Sequence, residues 1–462
     1  MSAMRRALGA GVFAIALAAT AWVACGTDSD SAASDGGSDA GGAGGGAGTS
    51  PSGGGTSGGA GGSVGGAGGG AASDGGVDWG AEPKWESTGQ VAAGCPIERL
   101  ANPTELKAWV WKTCSWASDC QEAVFNPKLL GSDAAFTPGS SVHDDGSVVR
   151  IGLALESSKH SVIFASGDGV ALDGIRGSLA ADLCHFWTGS LWGSRLAVMT
   201  GPLGMDTRAG ILADVGSNPE SVTVFALQSQ PFGVPQRTPL GSKRWLWWWV
   251  PVDRFSTVSA VDGSDFVMFA KAEQPGYALD YGDPVSTGSQ FLFDEYQAQE
   301  AGLPQRVIAY SDGMTAPQTY LKPSASSDDY GSPAFANSQV GFFRGVNRIQ
   351  ENVYGSVELW STPYSENPQQ LAPKKIASVS LTSYGMARAG GWGRFAFPAF
   401  SPTFGKQEVL VWNLENAANA SHVLPADHEV KALLGISRDH VYIAAAKPNT
   451  GPSAYLVRYP AP

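Results

Sequence analysis

The reactive and ligating side chains fall into a few groups, and each group has a plain reading beside a chemical one. Cysteines come first: Cys25, Cys95, Cys114, Cys120 and Cys184. The last four are separated by 18, 5 and 63 residues. Zinc pairs sit two to four residues apart with a second pair close by, so this spacing does not describe a metal site. No C-x-x-C redox pair occurs. An even count in an oxidising compartment instead points to two disulfides. Three connectivities are possible. Preference goes to Cys114–Cys120 as a local loop, with Cys95–Cys184 stapling the leading segment to the main body.

The six histidines, His143, His160, His185, His422, His428 and His440, contain no H-E-x-x-H or similar pair. His422 and His428 flank Pro425 and Asp427 and read as a loop; His185 stands beside Cys184. The pairs Asp144-Asp145 and Asp328-Asp329 lack a third calcium-loop ligand and read as solvated turns. Gly61-Gly62-Ser63-Val64-Gly65 fits a nucleophile pattern, but that pattern needs a strand-to-helix turn, which its Gly-rich surroundings do not supply. There is no phosphate loop or dinucleotide fingerprint. The expectation is therefore no catalytic residue, no metal and no cofactor. The loudest feature is R-W-L-W-W-W-V at 244–250. In a strand, Trp245, Trp247 and Trp249 share one face. They form either an exposed ladder that stacks on sugar rings or peptide side chains, or the filling between sheets.

Residues 1–25 address the chain. Arg5 and Arg6 precede an apolar run from Ala7 to Ala24, followed by Cys25 and Gly26. A basic start, a short apolar segment and small residues make an export signal. The junction A-W-V-A-C-G resembles the bacterial lipobox, with Trp22 where an aliphatic residue is usual. That resemblance implies a signal peptide ending at a lipidated Cys25. Gly26, not Asp, follows the cysteine, which by the sorting rule of enteric bacteria implies the outer membrane. The alternative is a permanent N-terminal anchor helix, since the run is near the lower spanning limit.

Residues 26–76 hold 23 Gly and five Asp, with no Lys, Arg or aromatic residue. Such a stretch cannot bury enough apolar surface to offset chain entropy, so 26–78 reads as a disordered tether. As a flexible coil it reaches ~40 Å. The rest divides into a Cys-containing leading segment, 79–130, and a main domain, 131–462. The chain carries a net charge of −12. An acidic domain without a basic run is a poor partner for nucleic acid or anionic lipid. The expected protein is a monomer that touches the membrane only through its lipid.

Fold class follows from the turns. Asp-Gly pairs stand at 145–146, 168–169, 173–174, 262–263 and 312–313, between β-branched and aromatic runs such as 148–155, 161–166, 221–227 and 265–271. Only Pro103–Thr113, capped by Asn102, and Asp294–Ala301 look helical. V-I-A-Y at Val307, V-E-L-W at Val357, V-L-V-W at Val409 and Y-L-V-R at Tyr455 recur at steps of 50, 52 and 46 residues. A multi-strand unit of about 50 residues is a propeller blade. The expected fold is thus all-β, a β-propeller of six or seven blades, with a β-sandwich pair or a β-helix as alternatives.

The segments G-S-V-E-L-W-S-T-P-Y-S-E-N-P-Q-Q-L (355–371) and F-P-A-F-S-P-T-F-G-K-Q-E-V-L-V-W-N-L (397–414) resemble the repeat of TolB-like periplasmic propellers. Thr403-Phe404-Gly405 stands where Asp-Gly is usual. The resemblance spans about a third of the domain and implies the fold; propellers host many functions. The functional expectation is a cell-envelope lipoprotein that binds a protein or glycan at the mouth of its channel. The alternative is a secreted hydrolase or lyase on the same scaffold. One consequence is direct: labelled palmitate should enter the wild-type protein and not Cys25→Ala. Equal labelling of both would remove the lipid anchor from this reading.

Overall fold

Runs rich in Val, Ile, Phe, Tyr and Trp form short strands here because branched and aromatic side chains pack well on a pleated surface. The computed structural model describes residues 77–462 except 131–134, 137–140, 157–159, 168, 179–184, 202–207, 218–220, 228–237, 250–253, 270–278, 282–283, 298–304, 315, 351–352, 384–386, 402–404 and 447–453. The leader, Cys25, Cys184 and nearly all of the tether lie outside the described residues. Two hairpins come first. Strand β1 (Trp85–Ala92) pairs with β2 (Cys95–Leu100), and β3 (Trp109–Thr113) pairs with β4 (Gln121–Phe125). A two-residue strand, β5 (Ala135–Phe136), follows.

Antiparallel meanders then succeed one another. The first is β6 (Ser141–Asp144), β7 (Val149–Glu156), β8 (His160–Gly167) and β9 (Val170–Ser178). The second is β10 (His185–Trp192), β11 (Arg195–Gly201), β12 (Arg208–Asp214) and β13 (Thr223–Leu227). The third is β14 (Arg244–Trp249), β15 (Arg254–Ser259) and β16 (Val267–Phe269), with Leu240 bridged to Trp245 ahead of them. In the fourth, β17 (Leu279–Tyr281) and β18 (Val285–Ser286) both pair with β19 (Gln290–Gln297), followed by β20 (Arg306–Ser311) and β21 (Gln318–Leu321). The fifth is β22 (Asp329–Phe335), β23 (Gln339–Gln350), β24 (Val353–Pro363) and β25 (Lys374–Val379). The sixth is β26 (Ala389–Gly391), β27 (Arg394–Ser401), β28 (Lys406–Asn413) and β29 (Asn419–Val423). The seventh is β30 (Glu429–Ile436), β31 (His440–Ala446) and β32 (Ala454–Pro460).

Several of these meanders pack through strands on their inner side. β6 meets β10, β18 meets β22, β22 meets β26, β26 meets β30, and β30 returns to β6. The protein is a β-propeller. The recurring motifs at 307, 357, 409 and 455 fall on β20, β24, β28 and β32, the strands following the inner hairpins of successive meanders. The last meander is completed from the other end of the described chain. Gln121 and Glu122 of β4 pair with Arg458 and Val457 of β32, and Phe136 of β5 pairs with Ala454. The covering strand β4 therefore lies upstream of residue 131, and β5 adds one pairing just after it. Hairpin β1–β2 extends the first meander through β2 on β9. Trp79–Pro462 accordingly forms one compact unit.

Because neighbours alternate across a strand, each meander buries one set of side chains on either side. In β14, Trp245 and Trp247 pack with Met199, Leu212 and Val258, while Leu246 turns to Phe255, Phe293 and Ile308. In β23, Phe342 faces Leu292 and Tyr320, and Phe343 faces Phe395 and Phe397. The apolar runs are thus sandwiched between sheets.

Three local expectations give way. The segment Pro103–Thr113 holds a 3-10 turn at Pro103–Glu105 and then β3. Trp109, Val110 and Trp111 gain a pairing partner in β4, which outweighs the proline-led helix start. Asp294 lies within β19, paired to Val307; its helical spacing lost to the same cross-strand pairing. Asp173-Gly174 lies inside β9, where Asp173 accepts from Arg99 Nε at 2.9 Å. Arg99 also donates to Asp214 O at 2.7 Å, so a buried ion pair ties β2 to two meanders.

The Cys114–Cys120 disulfide closes the loop of hairpin β3–β4. Cys95 is also disulfide-bonded. At the loop, Trp116 Nε1 donates to Tyr459 Oη at 3.2 Å and its ring lies 5.1 Å from His428. Asp119 lies 3.4 Å from His422 Nδ1, and His422 stacks on Tyr459 at 4.6 Å. His422 and His428 are thus buried against the hairpin, rather than looped out.

Two outcomes follow from this closure. Deleting residues 454–462 removes β32 and should abolish the cooperative thermal transition of the whole domain, monitored by circular dichroism. An unchanged melt would mean that closure is not needed. Burial chiefly lowers the His422 pKa, against the pull of Asp119 and Pro460 O. The folded state therefore favours the neutral ring, and this contribution is lost as pH falls below the unfolded value of ~6.5. The melting temperature should drop on acidification through that window, with a shallower slope in His422→Gln.

Candidate functional site

Two of the three tryptophans singled out by the sequence, Trp245 and Trp247, are closed to any ligand. Trp245 and Trp247 are fully buried, 4.9 Å apart edge to face, with Phe225 against both. Core packing takes them because no other residue type fills so much space between two sheets. Trp249 ends β14, and its side chain lies outside the described residues. Trp360 and Trp412, at matched repeat positions, are half-buried at sheet seams.

Two other groups of polar and aromatic residues converge, one at each end of the inner strands. At the start of β22, Asp328 and Asp329 are buried, contrary to their reading as a solvated turn. Buried carboxylates need partners, and Asp328 Oδ2 accepts from Arg344 Nε at 3.0 Å and Nη2 at 2.5 Å. Asp329 Oδ1 accepts from the Gln305 amide at 2.7 Å and from Arg348 Nη1 at 3.3 Å. Burial pushes the Asp329 carboxyl up, against the Gln305 amide, Arg348 and the Tyr354 hydroxyl. Nearby, Asp294 accepts from the Ser332 amide at 2.7 Å. Ser332 has a φ of 52°, and the β22–β23 register breaks between Gly331 and Ala334. A strained, bulged backbone turns that amide towards the carboxylate.

The charges continue outward across the same sheet. Arg344 lies 5.1 Å over Trp360, whose indole donates to Glu358 at 2.9 Å; Lys375 donates to Glu358 at 2.6 Å. Burial opposes the Glu358 charge, but Lys375 and Trp360 hold its carboxyl below the usual range. Asp328, Asp329 and Glu358 are all ion-paired, and the first two are closed to solvent. The arrangement fixes the inner strand, with one oxygen of Asp329 left buried without a hydrogen-bond partner.

At the other end, the turns that follow the inner strands touch one another around the ring. Asn337, between β22 and β23, accepts from the Trp392 amide at 2.9 Å. Trp392, between β26 and β27, lies 4.7 Å beneath the guanidinium of Arg438, between β30 and β31. Arg438 N donates to Asp144 Oδ2 at 2.8 Å and its Nη2 to Gly146 O at 3.0 Å, in the β6–β7 turn. The His143 ring packs on Trp192 at 4.9 Å, tilted by 48°, where β10 ends. Gly288, between β18 and β19, sits so close to Trp192 that a Cβ there would lie 2.4 Å from the indole. Its carbonyl accepts from the Ser242 amide at 2.8 Å, just before β14. Tyr364 completes the circle. Its hydroxyl accepts from Thr287 at 3.0 Å, and its amide donates to Ser338 O at 2.8 Å.

This turn ring presents half-buried His143, Trp192, Tyr364 and Trp392 beside exposed Arg438, Asn337 and Ser289. Burial chiefly lowers the His143 pKa, with Asp145 pulling the other way. Asp145 is held far below the usual range, first by the Ser147 hydroxyl; burial opposes this, and Arg150 reinforces it. The chemistry on offer is stacking and hydrogen bonding. Among the described residues, no group of three or more His, Cys, Asp or Glu is placed to hold a metal.

Neither Trp192 nor Trp392 stood out in the sequence beside the run at 245–249, although a signal exists. Each is followed by glycine and then, within two residues, by arginine and an apolar strand: W-G-S-R-L at 192–196 and W-G-R-F at 392–395. Gly193 and Gly393 have φ of 58° and 70°, the left-handed conformation these tight turns require.

No protein-family model matches the chain, and no curated protein matches it. Solved structures do resemble it. The β-propeller domain of the Trilobed protease from Pyrococcus furiosus is 9% identical with a TM-score of 0.44, covering 71% of this chain and 96% of that one. An oligogalacturonate lyase from Vibrio parahaemolyticus is 10% identical with a TM-score of 0.43, covering 82% and 97%. A prolyl endopeptidase is 14% identical with a TM-score of 0.43, covering 80% of this chain and 53% of its own length. The propeller assignment rests on the strand pairing of this chain itself.

Proposed function

We propose that this chain is an outer-membrane lipoprotein, periplasmic or surface-facing, whose propeller binds a protein or glycan of the cell envelope at its turn ring. The single observation behind this reading is the half-exposed aromatic and polar character of that ring, drawn from turns of successive meanders. Aromatic side chains contribute large contact area at low entropic cost and dominate binding surfaces. A ring of short hairpin turns, hydrogen-bonded to one another, is also rigid before a ligand arrives, which lowers the cost of binding. The opposite end supports the same reading, because the carboxylates at β22 are buried and paired. The lipobox-like junction at Cys25 and the TolB-like repeats at 355–371 and 397–414 support the address.

The test uses one surface and one core tryptophan. Trp192→Ala should weaken retention on an isolated cell-envelope fraction about tenfold, with a smaller fall in melting temperature than Trp247→Ala, because Trp192 is only partly buried against the core. Trp247→Ala should instead cost about 3–5 kcal/mol of stability. Wild-type retention by Trp192→Ala would sink the turn ring as the binding surface. Turnover of a polysaccharide or ester substrate, abolished by one carboxylate or histidine substitution, would establish an enzyme in place of a binder.

A further inference from the structure

Resting on the turn ring as the binding surface, we propose that its ligand is a short neutral oligosaccharide held across Trp192 and Trp392. The two indoles flank one turn. Trp192 packs on His143, and Trp392 lies against Gly146, where an added Cβ would meet its ring at 3.2 Å. Three residue steps separate His143 from Gly146, at most ~10 Å of extended chain. Two indoles bordering one short turn suit a ligand with more than one ring. The bound species must offer flat C–H faces with hydroxyls around their edges.

The polar groups between the platforms match such hydroxyls. Asp144 Oδ1 accepts from the Gly146 amide at 2.9 Å and its Oδ2 from the Arg438 amide at 2.8 Å. Asp145 Oδ1 accepts from the Ser147 amide at 2.9 Å and the Val148 amide at 3.0 Å. These bonds hold both carboxylates in place. A carboxylate has about four acceptor sites, so Asp144, with two of them used, retains capacity for ligand hydroxyls, whereas Asp145 also takes the Ser147 hydroxyl and Arg150 and is filled.

Charge and backbone narrow the class. Asp144, Asp145 and Asp439 stand near Arg150, Arg394 and Arg438, so positive charge has no excess here. An anionic sugar would meet two fixed carboxylates on a chain of net charge −12. Extended peptides usually gain their main-chain bonds from a free strand edge. The turn ring offers hairpin turns instead, whose flanking strands pair with each other.

The experiment applies the labelled full-length protein to an array of neutral, uronic and sulfated glycans, with a peptide array alongside. Wild-type protein should be retained on neutral glycans of two to four sugars. Trp192→Ala and Trp392→Ala should each lose tenfold or more, and Trp192→Phe should keep part of the signal. Binding confined to acidic glycans, or to none, overturns the proposal whether or not the variants fold. Trp192-dependent capture on peptides alone removes the saccharide but keeps the turn ring. Capture indifferent to both tryptophans removes both.

Discussion

A strand at the end of a sheet leaves a row of unpaired N–H and C=O groups, and in this protein β32 is where that problem has to be solved. Its backbone is covered from the far end of the described chain, by β4 at Val457 and Arg458 and by β5 at Ala454. The covering hairpin is held in turn by the Cys114–Cys120 disulfide and by Trp116 and Asp119 against Tyr459 and His422. A second closure lies at the turn ring, where Arg438 bonds the β6–β7 turn almost three hundred residues earlier in the chain. Closure has to come late in folding, because such long loops lose entropy before any contact rewards them.

Closure also explains why the two ends of the inner strands differ. At the start of β22, the chain enters from a loop and buries Asp328 and Asp329, whose charges are then neutralised by Arg344 and Arg348. Removing one partner would strand a buried charge, which is far costlier than never having the pair. That end is therefore committed to holding strands in place. At the other end the chain leaves each inner strand through a tight turn, and tight turns expose whatever side chains flank them. Trp192 and Trp392 are such flanking residues, and neighbouring turns hold them in fixed orientations.

The seams between sheets show the same economy of residue type. Trp245, Trp247, Phe255 and Phe293 fill the space on the two sides of the third meander. Strands buried on both faces lose the polar alternation of an ordinary antiparallel sheet. A run such as R-W-L-W-W-W therefore means interior here, although on a sheet with one solvated face it would mean surface.

The sequence by itself determined the class of fold. Branched runs, Asp-Gly turns and a step near 50 residues are local features, and local turn chemistry carries them into β20, β24, β28 and β32 without help from distant contacts. It also determined the disulfide-sized loop at Cys114–Cys120. Tertiary structure decided the rest. Helix-like Pro103–Thr113 became a strand because β4 offered hydrogen bonds across a hairpin, and Asp173-Gly174 stayed inside β9 because Arg99 reached it from β2. Whether a tryptophan is core or surface depends on which sheet packs over it. Trp247 and Trp192 are both strand residues, yet one meets Phe225 and the other a turn glycine from a distant meander. Burial is a property of the neighbours that folding brings, and no spacing along the chain encodes them.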